Sequence, residues 1–442
     1  MTDKELIKQL ITSSQERIGD KKIVPRSISL PIDSSKIISV AGVRRCGKSM
    51  LLQLTMEKLI EKGTERSRIL FFNFDDERIT WNSETLDIIL VAYRELFPSN
   101  NLRDCYIFFD EIQMASGWQS FVRRVYEDIC PNLFITGSNS QMLSSEIASA
   151  LRGRSLQYEE YPLSFVEMCR FRNINTNVYG DTSRARLSTL MDEYLEWGGF
   201  PEVVLTDPSL RQKILSDYYY VMIYRDMVEH FSINPAFVAR YYIRRVMENV
   251  TKPTSVSKIY NELKSQGISI SKDRAYTLAD QCEDIYLFLP LYRYTNSVQR
   301  STKSDTKFYC IDNGLRRITL KPQSNDNGKN LENAVFLHLY RQIEMPCKLN
   351  YFKGVGECDF VVSRDADVLM LVQVSWDLED SDALRREIAG LAEASTATGC
   401  RRMYIVTHED ERDIKIDDGV VHVIPAWKWM LTNGSIFSAY EE

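Results

Sequence analysis

The chain has 442 residues, of which 44% are hydrophobic and 26% charged, and its net charge is −6. Such values describe a globular protein long enough for roughly two to four domains, and the acidic balance excludes whole-surface attraction to nucleic acid, leaving local basic patches as the only route. Nine cysteines with no C-x-x-C pair and four histidines without ligand spacing argue against a disulfide framework or zinc site and for a reducing, cytoplasmic setting.

The first residues lack the apolar core of a signal peptide, and no run approaches a membrane span. The most apolar stretch, 285–292, is broken by Pro290. No repeat or low-complexity tract is present, and 323–329 reads as a polar linker.

The run Lys36-Ile37-Ile38-Ser39-Val40-Ala41 reads as a buried strand, and 50–60 reads as an amphipathic helix ended by Gly63. Between them lies Gly42-Val43-Arg44-Arg45-Cys46-Gly47-Lys48-Ser49, which fits G-x-x-x-x-G-K-[ST] at every fixed position. Strand, glycine loop and helix N-terminus aim backbone N–H groups at one point, which suits a polyphosphate. Residues 42–50, from Gly42 to Met50, are therefore expected to bind ATP, with Lys48 on the β- and γ-phosphates and the Ser49 hydroxyl on Mg²⁺.

A second strand, 105–109, ends in Asp110-Glu111. Asp110 is the expected Mg²⁺ partner, directly or through water. Glu111 adds a carboxylate able to polarise the attacking water. The competing reading is that both acids merely cap a helix over 113–126. A third strand, 132–135, runs into Thr136-Gly137-Ser138-Asn139-Ser140, where Ser138 and Asn139 are candidates for sensing the γ-phosphate. Arg152 and Arg154 follow, candidates for meeting the charge that develops in phosphoryl transfer, in cis or in trans, with Arg123 and Arg124 in reserve.

These segments, with Phe71-Phe72-Asn73-Phe74-Asp75-Asp76-Glu77-Arg78, Phe109-Asp110-Glu111-Ile112-Gln113 and Gly153-Arg154 followed by Tyr161-Pro162-Leu163-Ser164-Phe165, occur in one order. The series resembles the AAA-superfamily ATPases of bacteria and archaea that carry a C-terminal domain of largely uncharacterised function. The likeness covers essentially the whole chain and is most specific in the first 170 residues. It implies an αβα P-loop core related to origin-recognition-type ATPases, over 1–160, followed by a small helical lid over 161–240. Within the lid, the aromatic run Tyr218-Tyr219-Tyr220 with Tyr224 is read as core in preference to a stacking surface.

Two short helices, 257–266 and 271–282, then two strands, 287–294 and 306–311, follow in winged-helix order within 241–320. Lys272 and Arg274 would open the recognition helix, and Arg293, Arg300 and Lys303 would lie on the wing, suited to DNA phosphates. Asp273, Asp280 and Glu283 on the same helix speak for a protein partner instead. Over 330–442, Glu332 and Asp359 stand in the order of a restriction-nuclease-like site, but the closing E-x-K triplet is Gln373-Val374-Ser375. A metal loses a charged ligand and the water its cation, so this domain is expected to be inactive as a nuclease yet able to bind DNA or a subunit.

The expectation is thus a multidomain α/β protein: a Mg²⁺-dependent ATPase that assembles as a homo-oligomer, in a ring or partial ring, and remodels or moves along duplex or branched DNA. A nucleotide-controlled switch acting on a protein partner is the alternative, and an active nuclease the third reading.

Overall fold

Five short strands, β1 (Ile37–Ala41), β2 (Ile69–Asn73), β3 (Tyr106–Asp110), β4 (Leu133–Gly137) and β5 (Ser155–Glu159), form one sheet in the order β2-β3-β4-β1-β5. All its pairings are parallel. β1 and β4 are buried along their whole length, as parallel strands covered on both faces must be. Around the sheet lie α1 (Asp3–Glu16), α2 (Lys48–Glu61), α3 (Ser83–Leu96) and α4 (Trp118–Arg124). Val40, Leu51, Leu52, Met56, Phe108 and Phe134 fill one face, with the Phe108 and Phe134 rings stacked at 4.5 Å. Parallel pairing puts the carboxyl ends of β1, β3 and β4 side by side, where open α/β sheets bind ligands.

This is a computed structural model that describes residues 3–20, 23–138, 151, 153–268, 270–295, 306–320, 326–432 and 434–436. The polypeptide divides into two units, Met1–Tyr161 and Pro162–Glu442. Among the described residues no helix is long and apolar enough to cross a membrane.

In the second unit, helices Phe165–Phe171 and Asp181–Trp197 pack on Ala426–Thr432, and Asp181–Trp197 also packs on Asn313–Thr319 and Asn327–Tyr340. The helices expected as a lid therefore bury their apolar faces (Leu187, Leu190 and Tyr194) against the C-terminal segment. The Gly198-Gly199 break belongs to the same packing. The buried Asp312 carboxylate accepts the Gly199 N–H at 2.6 Å. Gly198 has φ 75°, and a Cβ there would lie 1.9 Å from that carboxylate.

Helices Val256–Ser265 and Lys272–Asp284 pack on each other and accompany a small antiparallel sheet, β6 (Pro253–Thr254), β7 (Phe288–Leu291) and β8 (Thr306–Cys310), in the order β6-β8-β7. A six-stranded sheet follows: β9 (Cys347–Lys353), β10 (Glu357–Arg364), β11 (Asp367–Val374), β12 (Met403–Thr407), β13 (Arg412–Ile416) and β14 (Gly419–Pro425), in the order β13-β14-β12-β11-β10-β9. Helix Ser381–Thr398 lies on β10 and β11.

Three local expectations are corrected. The helix over 113–126 is broken: a 3₁₀ turn (Ile112–Met114) is followed by Gly117 at φ 78°, then α4 and a π-helical turn (Val125–Ile129). Such a left-handed residue interrupts the helical ladder. The linker over 323–329 is shorter than expected, because helix Asn327–Tyr340 begins inside it. The tyrosine run is divided, with Tyr218 buried but Tyr220 61% exposed and stacked on Tyr224 at 4.3 Å.

Candidate functional site

The loop between β1 and α2 turns on two glycines. Gly42 has φ 156°, and a Cβ there would lie 2.0 Å from the Glu160 carbonyl oxygen; Gly47, which caps α2, has φ 116°. Arg45 also takes a positive φ of 71°, a conformation that costs energy in a non-glycine residue and clusters at ligand-binding loops. Arg26 holds the loop from behind, donating to the Cys46 and Tyr161 carbonyl oxygens at 2.8 Å each and pairing with buried Glu160 at 2.5 Å. Val43 is buried. The Cys46 thiol is buried and pushed up to about 11, chiefly by desolvation, so it is a packing group and not a nucleophile. Arg44 pairs with Asp75 at 3.8 Å. Met50 sits half-buried in the first turn of α2.

Lys48 is 4% exposed. Its ammonium donates to the carbonyl oxygens of Gly42 at 3.1 Å and Val43 at 3.3 Å and lies 3.5 Å from a Glu111 carboxylate oxygen. Burial alone would lower its affinity for a proton, but the carboxylates of Glu111 and Asp110 outweigh this and keep it charged.

The acid pair closes the site. Ser49 Oγ donates to Asp110 Oδ2 at 2.7 Å, and Thr136 Oγ1 donates to Asp110 Oδ1 at 2.6 Å. Thr136 Oγ1 in turn accepts the Glu111 N–H at 3.0 Å. Glu111 has φ 54°, so the chain turns sharply after β3 and presents two adjacent carboxylates to one side. Burial pushes the Asp110 carboxyl up even against its two hydrogen bonds. For Glu111 burial also favours the protonated form, but the Lys48 ammonium and a hydrogen bond from Gln113 hold the carboxyl below its usual range. Glu111 is therefore an ionised acceptor, and the paired Ser49 and Asp110 oxygens are hard donors of the kind Mg²⁺ takes.

Lys48, Ser49, Asp110, Glu111 and Ser138 are thus brought together. Asn139 and Arg152 lie outside the described residues. Arg154 is not brought in: its carbonyl accepts the N–H of Ile37, at the amino end of β1, and its guanidinium pairs with Glu127. Parallel pairing with β1 puts that end of the sheet opposite the phosphate loop, so Arg154 cannot reach its own chain's nucleotide. Arg124 pairs with Asp87. Gln113, Thr136 and Arg26 are site groups that carried no assigned role in the sequence. Only Gln113 had a local signal, two residues after Glu111.

In the second unit, Lys272 and Arg274 open helix Lys272–Asp284, capped by the Ser271 side chain. Lys272 lies over the Tyr276 ring. Arg293 departs from the expected wing, because its guanidinium donates to the Lys353 carbonyl oxygen on β9. Arg300 and Lys303 lie outside the described residues.

The six-stranded sheet carries a lysine that the triplet Gln373-Val374-Ser375 lacks. Lys307, from β8, is 1% exposed and lies 2.7 Å from Glu357, 3.2 Å from Asp359 and 3.5 Å from Glu332. Gln373 accepts the Asp359 N–H at 3.0 Å and donates to Glu387 at 2.5 Å. Ser375 is turned to its own loop, donating to the Asp377 carbonyl oxygen.

The profile of an AAA domain matches residues 34–169, and that of a domain of unknown function matches 188–326. An uncharacterized protein of Methanocaldococcus jannaschii is 33% identical over 445 residues, spanning 98% of this chain and 97% of that protein. An uncharacterized protein of Haemophilus influenzae is 30% identical over 354 residues, 79% of this chain and 84% of that one. Among solved structures, Cdc6p from Pyrobaculum aerophilum aligns at 11% identity over 67% of this chain and 87% of its own, with a TM-score of 0.27. The Aeropyrum pernix ORC1 protein in complex with DNA aligns at 10% identity over 72% and 91%, with a TM-score of 0.28. The assignment rests on the two full-length relatives and the AAA match, together with a phosphate loop and acid pair assembled at one sheet edge. The chain belongs to the family of P-loop ATPases with an AAA domain that includes the Methanocaldococcus jannaschii protein.

Proposed function

We propose that the chain is a Mg²⁺-dependent ATPase that works as an oligomer and uses hydrolysis to remodel or move along DNA. The hydrogen-bonded series Ser49–Asp110–Thr136–Glu111 beside Lys48 carries the hydrolytic part. Loop N–H groups and Lys48 bind the phosphates, and Lys48 exchanges its loop carbonyls for phosphate oxygens. Mg²⁺, held by Ser49 and Asp110, neutralises phosphate charge when bound. Glu111 accepts the proton of the attacking water. Ser138 and Asn139 sense the γ-phosphate.

Oligomerisation is supported by the position of Arg154, at the far end of its own sheet from the loop. An arginine from 152–154 would then act in a neighbour's site. Mixing an Arg154→Ala protein with a Glu111→Gln protein is expected to restore activity, because each hybrid interface joins an intact base to an intact arginine. ATPase assays across mixing ratios check this, and a strictly additive loss would refute action in trans.

DNA as target is supported by Lys272 and Arg274 in the first turn of a capped helix that follows a helix and turn, a position suited to phosphate contacts. Affinity should fall steeply with salt as counterions are released. Reversing the charges of Lys272 and Arg274 is expected to abolish DNA stimulation of ATPase and leave the basal rate intact. A stimulated rate equal to that of the wild type would defeat this reading. The same helix carries Asp273, Asp280, Glu283 and Asp284, and the Glu283 carboxyl is pushed up to about 7 by burial and these neighbours. That acidic balance favours the second reading, a nucleotide-controlled switch that docks a protein partner.

A further inference from the structure

Gln113 is held at the catalytic carboxylate in one orientation. Its amide nitrogen donates to Glu111 Oε2 at 2.6 Å and faces Ser138 Oγ at 3.3 Å. An ionised carboxylate only accepts hydrogen bonds, so the group turned to Glu111 must be the amide NH₂. That leaves the amide oxygen on the other side. Gln113 Oε1 is buried, and it accepts no hydrogen bond from the described residues. Buried acceptors are nearly always paired, and an unpaired one calls for a specific donor. The other oxygen of Glu111 faces Lys48, the residue expected on the γ-phosphate. The unmatched acceptor therefore stands beside both the base and the phosphate end of the site, where a donor is needed during hydrolysis. A water has two protons. In hydrolysis one goes to the base, and the other needs an acceptor that does not take it.

We propose that Gln113 positions the attacking water, accepting through Oε1 the hydrogen bond of the proton that stays, while its amide NH₂ orients Glu111. The inference rests on Glu111 acting as the base. The water oxygen forms a bond to the γ-phosphorus, and the bond from that phosphorus to the β–γ bridging oxygen breaks with its electron pair left on ADP. One water proton passes to Glu111, and the other remains on the phosphate product. Gln113 exchanges no proton. It is a positioning residue, and its strained neighbour Glu111 at φ 54° sets the distance between them.

Gln113→Ala should lower the single-turnover rate by about 10²-fold, the loss that misplacement of a reacting group by about 1 Å brings, with ATP affinity unchanged. It should also move the acid limb of the pH–rate profile upward, because the Gln113 hydrogen bond helps to hold the Glu111 carboxyl low. A residue that only packs would not move that limb. A wild-type rate and an unmoved acid limb in Gln113→Ala, with Glu111→Gln inactive, would overturn the role of Gln113 and leave the base in place. A Glu111→Gln protein with the wild-type rate would instead remove the base itself, and this proposal with it. If the alanine variant does not fold, Gln113→Glu keeps the size but sets two carboxylates together. An acid limb displaced upward then supports the proposal, and an unmoved one overturns it.

Discussion

Replacement of Glu111 by Gln is expected to leave ATP bound and to cut turnover by about 10²–10⁴-fold, the range of general acid–base catalysis. The substitution keeps size and shape, so the Thr136 contact to its backbone N–H and the positive φ of 54° are undisturbed. What it removes is an acceptor held ionised by Lys48 and Gln113. Equilibrium ATP binding and single-turnover hydrolysis together check this. Loss of binding with the loss of turnover would make Glu111 a structural or metal-holding group.

Replacement of Lys48 by Ala should be more severe. Turnover should fall by at least about 10²–10³-fold, as when a preorganised donor to developing charge is lost, and ATP affinity should weaken with it. The ammonium is buried among the loop carbonyls and Glu111, so no water-exposed cation can take its place at equal strength. Removing it also takes away the charge that holds the Glu111 carboxyl low, and the base should then titrate at higher pH. The pH–rate profile of any residual activity tests the sign. A folded Lys48→Ala protein with wild-type turnover would sink the phosphate-loop assignment.

The phosphate loop and acid pair were legible because each is a contiguous signal. A buried strand must be followed by glycine where the chain turns left-handed, as at Gly42 and Gly47, and a hydrophobic strand ending in two acids needs no long-range partner to be noticed. Their convergence was also implied, since parallel strands align their carboxyl ends. By contrast, Arg26 lies 20 residues before the Cys46 carbonyl it supports, and nothing local marks an arginine for that task. The break after Glu111 was hidden as well, because the apolar spacing of 118–125 continues a helical pattern across Gly117.

Placement of charges far apart in sequence belonged to tertiary structure alone. Chain order made Arg154 a candidate for the phosphates, but strand pairing at Ile37 carries it to the opposite end of the sheet. The lysine missing from position 375 is supplied by Lys307 on a different strand, 52 residues before Asp359, because burial of several carboxylates demands a cation from whichever neighbouring strand can provide one. Sequence therefore determined which chemical groups the ATPase core holds, through short motifs whose backbone geometry is local. Tertiary structure decided which side chains meet across the sheets, since a hydrogen bond such as that from Gln113 to Glu111 depends on where a turn ends and not on residue type alone.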